Sequence, residues 1–253
     1  MSEMINDVKP VKFDDLRPLT NVELCMQALE RAMNREKHLP GLVCLYGPSG
    51  WGKTMAACYA YRELGAYHVE YRRNWRLKNL LQAILKEMGE PQGKTNSEMF
   101  DQVVDILSEG DTPLIIDEMD RAVERKTVED IRDLHDASGA PILLIGEENL
   151  PHNLQKWERF YRRVLLWVPA QAMTIQDMVL LNDLYNKGLD VSEELLLMAY
   201  EVSYDSPGRA VLRLKEINEF AKQKGLASIG VKEWGNRQFT SIDAPKRRLR
   251  NAK

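Results

Sequence analysis

Short apolar runs alternate with amphipathic segments along the first two thirds of the chain. Four of the runs are continuous, as expected for strands that are buried on both faces of a sheet: residues 42–46, 113–116, 141–145 and 164–168. Residues 67–70 are a weaker strand candidate. Between these strands, apolar side chains recur at spacings of three and four, which predicts helices: residues 20–39, 55–64, 75–88, 97–107, 127–137 and 149–160.

Two threonines indicate where helices begin. Thr20, with Glu23 three residues later, fits a capping box, and Thr127 fits the N-cap of a later helix. Each hydroxyl is therefore expected to accept a hydrogen bond from the first turn of its own helix.

The pattern changes after Pro169. Helical spacing then dominates, with no clear strand between the predicted helices: residues 175–186, 192–202 and 207–224. Strands that alternate with helices predict an α/β fold with a parallel sheet sandwiched by helices, and the later residues predict a small all-α domain. We therefore divide the chain into an N-terminal extension, an α/β domain, a helical domain and a tail: residues 1–19, 20–169, 170–240 and 241–253.

Composition and charge refine this picture. The chain of 253 residues is 44% hydrophobic and 29% charged, which excludes disordered, collagen-like and coiled-coil classes. Its net charge of −3 hides an asymmetry, because five basic residues and no acid stand in the last nine positions: Lys246, Arg247, Arg248, Arg250 and Lys253. Removing these five charges from −3 leaves −8 on residues 1–244. An acidic body with a basic tail is compatible with an anionic partner.

The remaining composition argues against secreted and membrane proteins. Cys25, Cys44 and Cys58 form no CxxC pair and no zinc-like cluster, so neither a disulfide framework nor a structural metal is expected. The first residues lack the pattern of a signal peptide, and no apolar stretch approaches the ~18 residues of a membrane helix. We expect an intracellular protein with no membrane partner.

A glycine-rich turn after the first strand carries the strongest chemical signal. Its residues fit the pattern G-x-x-x-x-G-K-S/T completely: Gly47, Pro48, Ser49, Gly50, Trp51, Gly52, Lys53 and Thr54. Between a strand and a helix, such a turn directs backbone N–H groups at phosphate oxygens. Lys53 is predicted to reach the β- and γ-phosphates of ATP and to act in catalysis, and Thr54 to bind Mg²⁺. Met55, the next residue, is assigned to the same site.

Two carboxylates follow the apolar strand at residues 113–116. The carboxyl ends of parallel strands are where ligands bind, so Asp117 and Glu118 are expected beside the phosphates. Asp117 is predicted to bind Mg²⁺ together with the nucleotide. Glu118 is predicted to orient and polarise the water that attacks the γ-phosphate. The pair therefore predicts hydrolysis of ATP rather than binding alone.

Polar and basic residues elsewhere are candidates for completing this site. Glu147 or Asn149, after the strand at 141–145, is a candidate phosphate sensor, although a solvated loop is nearly as compatible with the pattern. Arg209, at the start of a predicted helix, is a candidate for contacting the nucleotide. An ordinary first-turn arginine is the alternative for Arg209, and Arg213 is a competitor for its role.

Three arginines stand just before the last strand of the α/β domain: Arg159, Arg162 and Arg163. Two interpretations stay open. Cations at a helix end favour the helix dipole. Alternatively, one of them is an arginine finger that stabilises charge on the γ-phosphate of a neighbouring subunit. For that catalytic role, Arg162 and Arg163 are preferred to Arg159.

Taken together, these motifs resemble the AAA+ ATPases over about residues 20–225. Within that group, the sequence is similar to the transposition-helper ATPases of the phage Mu B type, and also to secretion-type and replication-loader branches. Three segments carry this resemblance: L-I-I-D-E-M-D-R at 114–121, V-E-D-I-R-D-L-H-D at 128–136 and P-I-L-L-I-G-E-E-N-L at 141–150. The resemblance implies a P-loop NTPase with a helical lid.

The resemblance also implies function. Transposition helpers assemble on double-stranded DNA as rings or filaments in the presence of ATP and Mg²⁺, deliver a target site to a transposase, and disassemble upon hydrolysis. The same resemblance implies that the protein is located in the cytoplasm of a bacterial host. One departure is that only about 20 residues precede the first helix, where the Mu B type carries a helix-turn-helix region. DNA contacts are then expected from the ATPase core, the tail or both.

Basic residues near predicted loops are candidates for those DNA contacts. They are Arg72, Arg73, Arg76 and Lys78, with no acid between residues 71 and 86, and then Lys94, Arg121 and Lys126. Contacts to phosphates give affinity without sequence preference and with strong salt dependence. A solvated basic face is the alternative for each residue. For Trp75, within the first cluster, a buried anchor at the helix start is favoured over base stacking.

Two other functions remain as alternatives. A helicase loader of the replication type would favour single strands or a helicase partner. A nucleotide-gated scaffold would bind a protein and hydrolyse little ATP, which the intact pair of Asp117 and Glu118 argues against.

Overall fold

The structure, a computed structural model, describes residues 18–36 and 38–240. Most of the predicted N-terminal extension (residues 1–17) and the whole basic tail (residues 241–253) lie outside these ranges. No helix among the described residues has both the length and the apolar character needed to cross a membrane.

Within the described residues, a sheet of five parallel strands forms the centre of the molecule, in the order β2-β3-β4-β1-β5. The strands are β1 (Leu42–Tyr46), β2 (Tyr67–Glu70), β3 (Leu114–Asp117), β4 (Ile142–Gly146) and β5 (Val164–Pro169). Strand β4 lies between β3 and β1, so the ends of these three strands meet at one edge of the sheet.

Helices connect the strands and cover both faces of the sheet. They are α1 (Thr20–Met33), α2 (Lys53–Leu64), α3 (Leu77–Met88), α4 (Asn96–Glu109), α5 (Met119–Glu124), α6 (Val128–Ser138), α7 (Leu150–Leu154) and α8 (Glu158–Tyr161). Alternate residues of each strand point to opposite faces. Val43 and Leu45 pack in the layer of α1 and α2, whereas Leu42 and Cys44 pack in the layer of α3 to α6. This two-sided burial explains the continuous apolar runs and confirms the predicted α/β class.

The chain after β5 is mainly helical. Its elements are α9 (Ile175–Tyr185), β6 (Asp190–Val191), α10 (Glu193–Glu201), α11 (Pro207–Lys224), β7 (Ser228–Ile229) and α12 (Val231–Trp234). The three longer helices occur where the sequence predicts them. The expectation of an all-α segment is wrong in one detail, because β6 and β7 pair in parallel. Each contributes only two residues, which is too short for a periodic pattern to reveal.

The predicted capping role of Thr20 is wrong. Leu19 is the N-cap of α1, and the backbone N–H and the hydroxyl of Thr20 donate to the carboxylate of Asp177, at 2.8 Å and 3.0–3.1 Å. Asp177 is buried in the first turn of α9. Thr20 therefore links α1 to the helical segment through Asp177 instead of capping its own helix.

Thr127 stands at the N-cap of α6 as predicted, but its hydroxyl is 2.6 Å from the hydroxyl of Tyr71. Both side chains are buried, so this bond joins α6 to the chain that follows β2. Thr95, Thr174, Ser192 and Ser206 are the N-caps whose side chains accept a hydrogen bond from the first turn of their helix.

Two predicted helices differ from the structure by more than a few residues. Helix α1 ends at Met33 rather than at residue 39, and the side chain of Arg35, just beyond its end, donates to the carbonyl oxygen of Ala32 in the last turn. The single helix predicted at residues 149–160 is divided into α7 and α8. The turn between them lets both Leu154 and Phe160 reach the core, where neither is exposed.

Candidate nucleotide-binding site

The glycine-rich turn joins β1 to α2 in the way the motif requires. Gly50 and Gly52 both have φ near +85°, a left-handed conformation that other residues rarely adopt. Gly52 is the N-cap of α2, so the turn leads directly into the N-terminus of that helix. Backbone N–H groups and the helix dipole consequently converge on one position, which suits a phosphate group.

Lys53 folds back over this turn. Its Nζ donates to the carbonyl oxygens of Gly47 and Pro48, at 2.7 and 2.8 Å. Burial lowers the pKa of Lys53, and four neighbouring carboxylates oppose that shift: Asp117, Glu147, Asp120 and Glu118. The ammonium group of Lys53 is thus kept close to the site by carbonyl oxygens. Phosphate oxygens, which carry charge, would be stronger acceptors for it than these carbonyl groups.

Thr54 and Asp117 are in direct contact. The hydroxyl of Thr54 donates to Oδ2 of Asp117 at 2.9 Å, although the two residues are 63 positions apart. Oδ1 of Asp117 accepts the backbone N–H of Glu118 at 2.7 Å, which fixes the carboxylate. Hydroxyl and carboxylate oxygens at this separation fit a hard divalent cation such as Mg²⁺, which takes few protein ligands beside phosphate oxygens.

Glu118 occupies the junction between β3 and α5. Its φ of 60° is unusual for a residue with a side chain and marks local strain. The side chain is 38% exposed and forms an ion pair with Arg121 at 3.3 Å. Burial raises the pKa of Glu118, and the charge of Arg121 lowers it. The carboxylate of Glu118 thus lines the site and is paired there with the guanidinium of Arg121.

A cavity of about 280 Å³ brings most of the predicted nucleotide-binding residues together. It is lined by Ser49, Gly50, Gly52, Lys53, Thr54, Met55, Asp117, Glu118, Gly146, Glu147, Pro207 and Gly208. Gly47 and Pro48 contribute through the carbonyl groups that hold Lys53. Trp51 is partly buried, and its carbonyl oxygen accepts from the side chain of Asn21 at 2.7 Å.

Glu147 and Asn149 both line a groove beside the cavity, but only Glu147 also lines the cavity itself. The backbone N–H of Glu147 donates to Oδ2 of Asp120 at 2.5 Å. Asn149 is the N-cap of α7. The geometry therefore favours Glu147 as the candidate phosphate sensor. Sequence reasoning missed Asp120, although its position three residues after Asp117 was a usable signal.

The nucleotide site lies within a segment that matches a known family. The model of the AAA domain family matches residues 25–154, which is just over half of the chain and spans β1 to α7. This chain belongs to the AAA domain family. The family, together with the P-loop and the carboxylates beside it, indicates nucleotide binding. No curated protein matches the sequence.

Solved structures of archaeal AAA proteins share the fold. The Aeropyrum pernix ORC2 protein in its ADPNP and ADP complexes aligns with a TM-score of 0.65 and 16% identity, over 84% of this chain and 64% of that one. The Aeropyrum pernix ORC1 protein in complex with DNA gives 0.59 and 19%, over 87% and 64%. The Cdc6p protein of Pyrobaculum aerophilum gives 0.62 and 20%, over 89% and 68%. This chain thus spans about two thirds of each, and at such identities the similarity establishes the fold alone.

In this AAA protein, the N-terminus of α11 lies against the P-loop. A Cβ atom at Gly50 would stand 3.2 Å from Oγ of Ser206, and one at Gly52 would stand 3.4 Å from Pro207. The helical segment therefore reaches the phosphate-binding turn directly. Sequence reasoning missed Ser206, whose place before Pro207 at the helix start was the available signal.

The two arginines of α11 have different environments. Arg209 lies at the start of the helix with its guanidinium over the ring of Tyr204, 5.3 Å from the centroid. Arg213 is buried and paired with Glu216 at 3.0 Å. Arg213 consequently belongs to the core of the helical segment, and Arg209 is the better candidate for contacting the nucleotide.

The arginines before β5 are exposed at the end of α8. Arg162 is paired with Glu158, and Arg163 donates to Asp136 at 2.7 Å. Among the described residues, Arg159 forms no ion pair. The preference for Arg162 and Arg163 as arginine fingers remains a prediction. To contact a phosphate, each of these two would have to give up its ion pair, whereas Arg159 would not.

The basic residues considered for DNA binding fall into two groups. Most are exposed, as a phosphate contact requires: Arg72, Arg73, Arg76, Lys78, Lys94 and Lys126. Arg121 does not fit this prediction, because its guanidinium is engaged with Glu70, Glu118 and the carbonyl oxygen of Tyr71. Sequence spacing could not reveal that its partners lie within the chain.

Trp75 stands in the middle of the exposed arginines but faces inward. Its ring is half-buried and lies 5.8 Å from the ring of Tyr71, in an edge-to-face arrangement. Arg72 covers the ring at 5.6 Å. These contacts favour the interpretation of Trp75 as an anchor for the start of α3 over base stacking.

Proposed function

We propose that this AAA protein hydrolyses ATP, binds double-stranded DNA without sequence preference, assembles on that DNA in an ATP-dependent manner and delivers it to a transposase. The nucleotide part of the proposal rests on one observation above all. Lys53 and Thr54, at the start of α2, converge on one cavity with Asp117 and Glu118, at the junction of β3 and α5.

The residues around the cavity can each be assigned a part in hydrolysis. Lys53 would leave the carbonyl oxygens of the loop and bind the β- and γ-phosphates. Thr54 and Asp117 would hold Mg²⁺, which supplies positive charge to the phosphate oxygens. Glu118 would accept a hydrogen bond from the attacking water and orient it, and Glu147 would contact the γ-phosphate from the side of β4.

Further contacts would come from the helical segment and from a second copy of the chain. We propose that residues 170–240 act as a lid, with Arg209 sensing the nucleotide from α11. In an assembly, an arginine of the exposed group at the end of α8 would reach the γ-phosphate bound by the neighbouring copy. Arg162 and Arg163 are the proposed catalytic fingers, and Arg159 is the alternative.

The DNA part of the proposal rests on the exposed arginines that follow β2. Arg72, Arg73 and Arg76 lie on one short loop beside α5, the helix that Glu118 begins. Contacts from such side chains to phosphates would hold duplex DNA of any sequence. The transposition role comes from the resemblance of the segments at 114–121, 128–136 and 141–150 to transposition helpers.

A replication-type initiator or loader is the second candidate. The fold similarity to archaeal ORC and Cdc6 proteins, one of them in complex with DNA, favours it. A loader would engage a helicase or single strands, whereas a transposition helper would assemble on duplex DNA alone.

Electron microscopy of negatively stained mixtures tests the proposal. We expect rings or filaments of the wild type on duplex DNA with ATP or a slowly hydrolysed analogue, and none with ADP. Glu118→Gln should accumulate the assembled form and lower phosphate release by about 100-fold or more, the scale of general base catalysis. Glu124→Gln, which changes an exposed carboxylate at the far end of α5, is the control.

Two outcomes would contradict the proposal. If no nucleotide-dependent assembly forms on duplex DNA but one forms on single strands, the loader function is favoured instead. If Glu118→Gln hydrolyses ATP as fast as the wild type, the role given to Glu118 is wrong.

A further inference from the structure

Asn21 lies where three parts of the molecule meet. It belongs to the first turn of α1 and is only 6% exposed. Its Nδ2 donates to the carbonyl oxygen of Trp51 in the P-loop at 2.7 Å and to the carbonyl oxygen of Gln171 at 2.8 Å. Its Oδ1 accepts the backbone N–H of Gln171 at 2.7 Å. A residue of α1 thus joins the phosphate-binding turn to the chain that leaves β5.

The two contacts with Gln171 determine how the amide of Asn21 is turned. A primary amide offers two N–H groups and one carbonyl oxygen. With Oδ1 on the N–H of Gln171, the N–H groups of Nδ2 are directed at two carbonyl oxygens, those of Gln171 and Trp51. The reverse orientation would place Oδ1 against both carbonyl oxygens, where no hydrogen bond can form. Gln171 therefore holds the group that in turn holds Trp51.

The bond to Trp51 fixes one peptide plane of the P-loop. A trans peptide is planar, so the carbonyl oxygen of Trp51 and the N–H of Gly52 point in opposite directions. Because that oxygen faces Asn21, the N–H of Gly52 points away from Asn21. Gly52 lines the nucleotide cavity, so its N–H is a candidate donor to a phosphate group.

Gly52 alone does not hold this plane. Its φ is +85°, and a glycine adopts positive and negative φ with similar ease. Rotation of the peptide between Trp51 and Gly52 would turn the N–H toward Asn21 and the carbonyl oxygen away from it. A carbonyl oxygen in place of the N–H would repel phosphate oxygens, so the plane has to be held from outside the glycine.

We propose that Asn21 is a positioning residue of the nucleotide site, which holds the N–H of Gly52 in the direction that binds phosphate. This inference rests on the nucleotide-binding part of the proposed function and is independent of hydrolysis, DNA and transposase. Gln171 stands at the start of the helical segment. The same side chain therefore makes the phosphate-binding turn dependent on how that segment joins β5.

Titration calorimetry with MgADP and with inorganic tripolyphosphate tests this role by comparing Asn21→Leu with the wild type. Leucine has nearly the shape of asparagine but no polar atom. We expect the dissociation constants of both ligands to rise about 10-fold to 100-fold, the scale of one hydrogen bond to a charged group. Tripolyphosphate carries no base, so an equal effect on both ligands places the defect in the phosphate-binding turn.

Thr20→Val is the matched control. Thr20 is the neighbouring residue, and its hydroxyl bonds to Asp177 rather than to the P-loop. Its loss should lower the free energy of unfolding in urea and leave both dissociation constants unchanged, as a purely structural role would. Asn21→Ala serves if the leucine variant does not fold, because water can then satisfy the freed backbone groups without orienting them. It should also weaken the binding of both ligands.

The failure of this inference differs from that of the proposed function. If Asn21→Leu binds both ligands as tightly as the wild type, or if only MgADP is bound more weakly, Asn21 does not position the phosphate-binding turn. A wild type that binds no nucleotide contradicts the inference and the proposed function together. A wild type that binds MgADP but neither hydrolyses ATP nor assembles on DNA contradicts the proposed function alone. The affinities of Asn21→Leu then still decide the role of Asn21.

Discussion

At the scale of single residues, His135 illustrates how a motif residue can serve the fold. It is 4% exposed in α6, within the segment that carries the resemblance to transposition helpers. Its Nδ1 donates to the carbonyl oxygen of Ala140 at 2.8 Å, and Nε2 accepts the backbone N–H of Gly41 at 3.2 Å. The neutral imidazole thereby joins the turns that precede β4 and β1.

This geometry predicts a pH-dependent stability. Burial lowers the pKa of His135, so its contribution is fully present above the ordinary value of about 6.5 and is lost as the pH falls below that value. Protonation would also set an N–H of Nε2 against the N–H of Gly41.

We expect the free energy of unfolding, measured with urea, to decrease between pH 7.5 and 5. His135→Gln should remove much of this slope, and His152→Gln, at an exposed site, should keep it. An unchanged slope in His135→Gln would contradict this role.

At the scale of elements, the sequence predicts the sheet well because burial on both faces leaves a simple signal. The apolar run of β3 with Asp117 and Glu118 after it suffices to place two carboxylates at the edge of the sheet. The same local pattern could not assign Arg121. An arginine three residues after a glutamate can turn toward DNA or back to its own carboxylate, and only the end of β2 decides which.

Helix ends were harder to predict for a related reason. Thr20 satisfies the local pattern of a cap, yet its hydroxyl finds Asp177, 157 positions away. Thr127 likewise finds Tyr71. A threonine hydroxyl can form its hydrogen bond either within its own helix or with another element. Which of the two occurs depends on how the elements pack, and a local sequence pattern does not contain that information.

The junction of β4 and α7 gives a prediction about an element. A Cβ atom at Gly146 would stand 2.5 Å from both Oδ2 of Asp120 and the side chain of Leu150. Gly146→Ala should therefore destabilise the protein by about 1–3 kcal/mol, as overpacking typically does. It should also disturb the bond that holds Glu147. Urea unfolding measures the loss, with Gly110→Ala as control, since that Cβ would meet its nearest neighbour at 3.7 Å. Equal stability of the two variants would contradict this packing.

At the scale of the whole molecule, net charge is a poor guide to DNA binding. The first 244 residues carry −8, yet the loop after β2 presents three exposed arginines in five positions. An assembly repeats that loop in every copy, so local charge rather than the total decides whether phosphates are attracted. The salt dependence of DNA affinity can distinguish attraction by the loop from attraction by the overall charge of the protein.

Replacing Arg72, Arg73 and Arg76 together by alanine should weaken duplex binding and flatten its salt dependence. Each lost phosphate contact lowers the slope of log affinity against log salt by about 0.9, so the triple variant should lose about 2 to 3 in slope. Fluorescence anisotropy at several salt concentrations measures this. The matched control replaces three exposed lysines of the helical segment: Lys222, Lys224 and Lys232. An equal loss of slope in both triple variants would mean that the overall charge attracts DNA and that the loop has no special part.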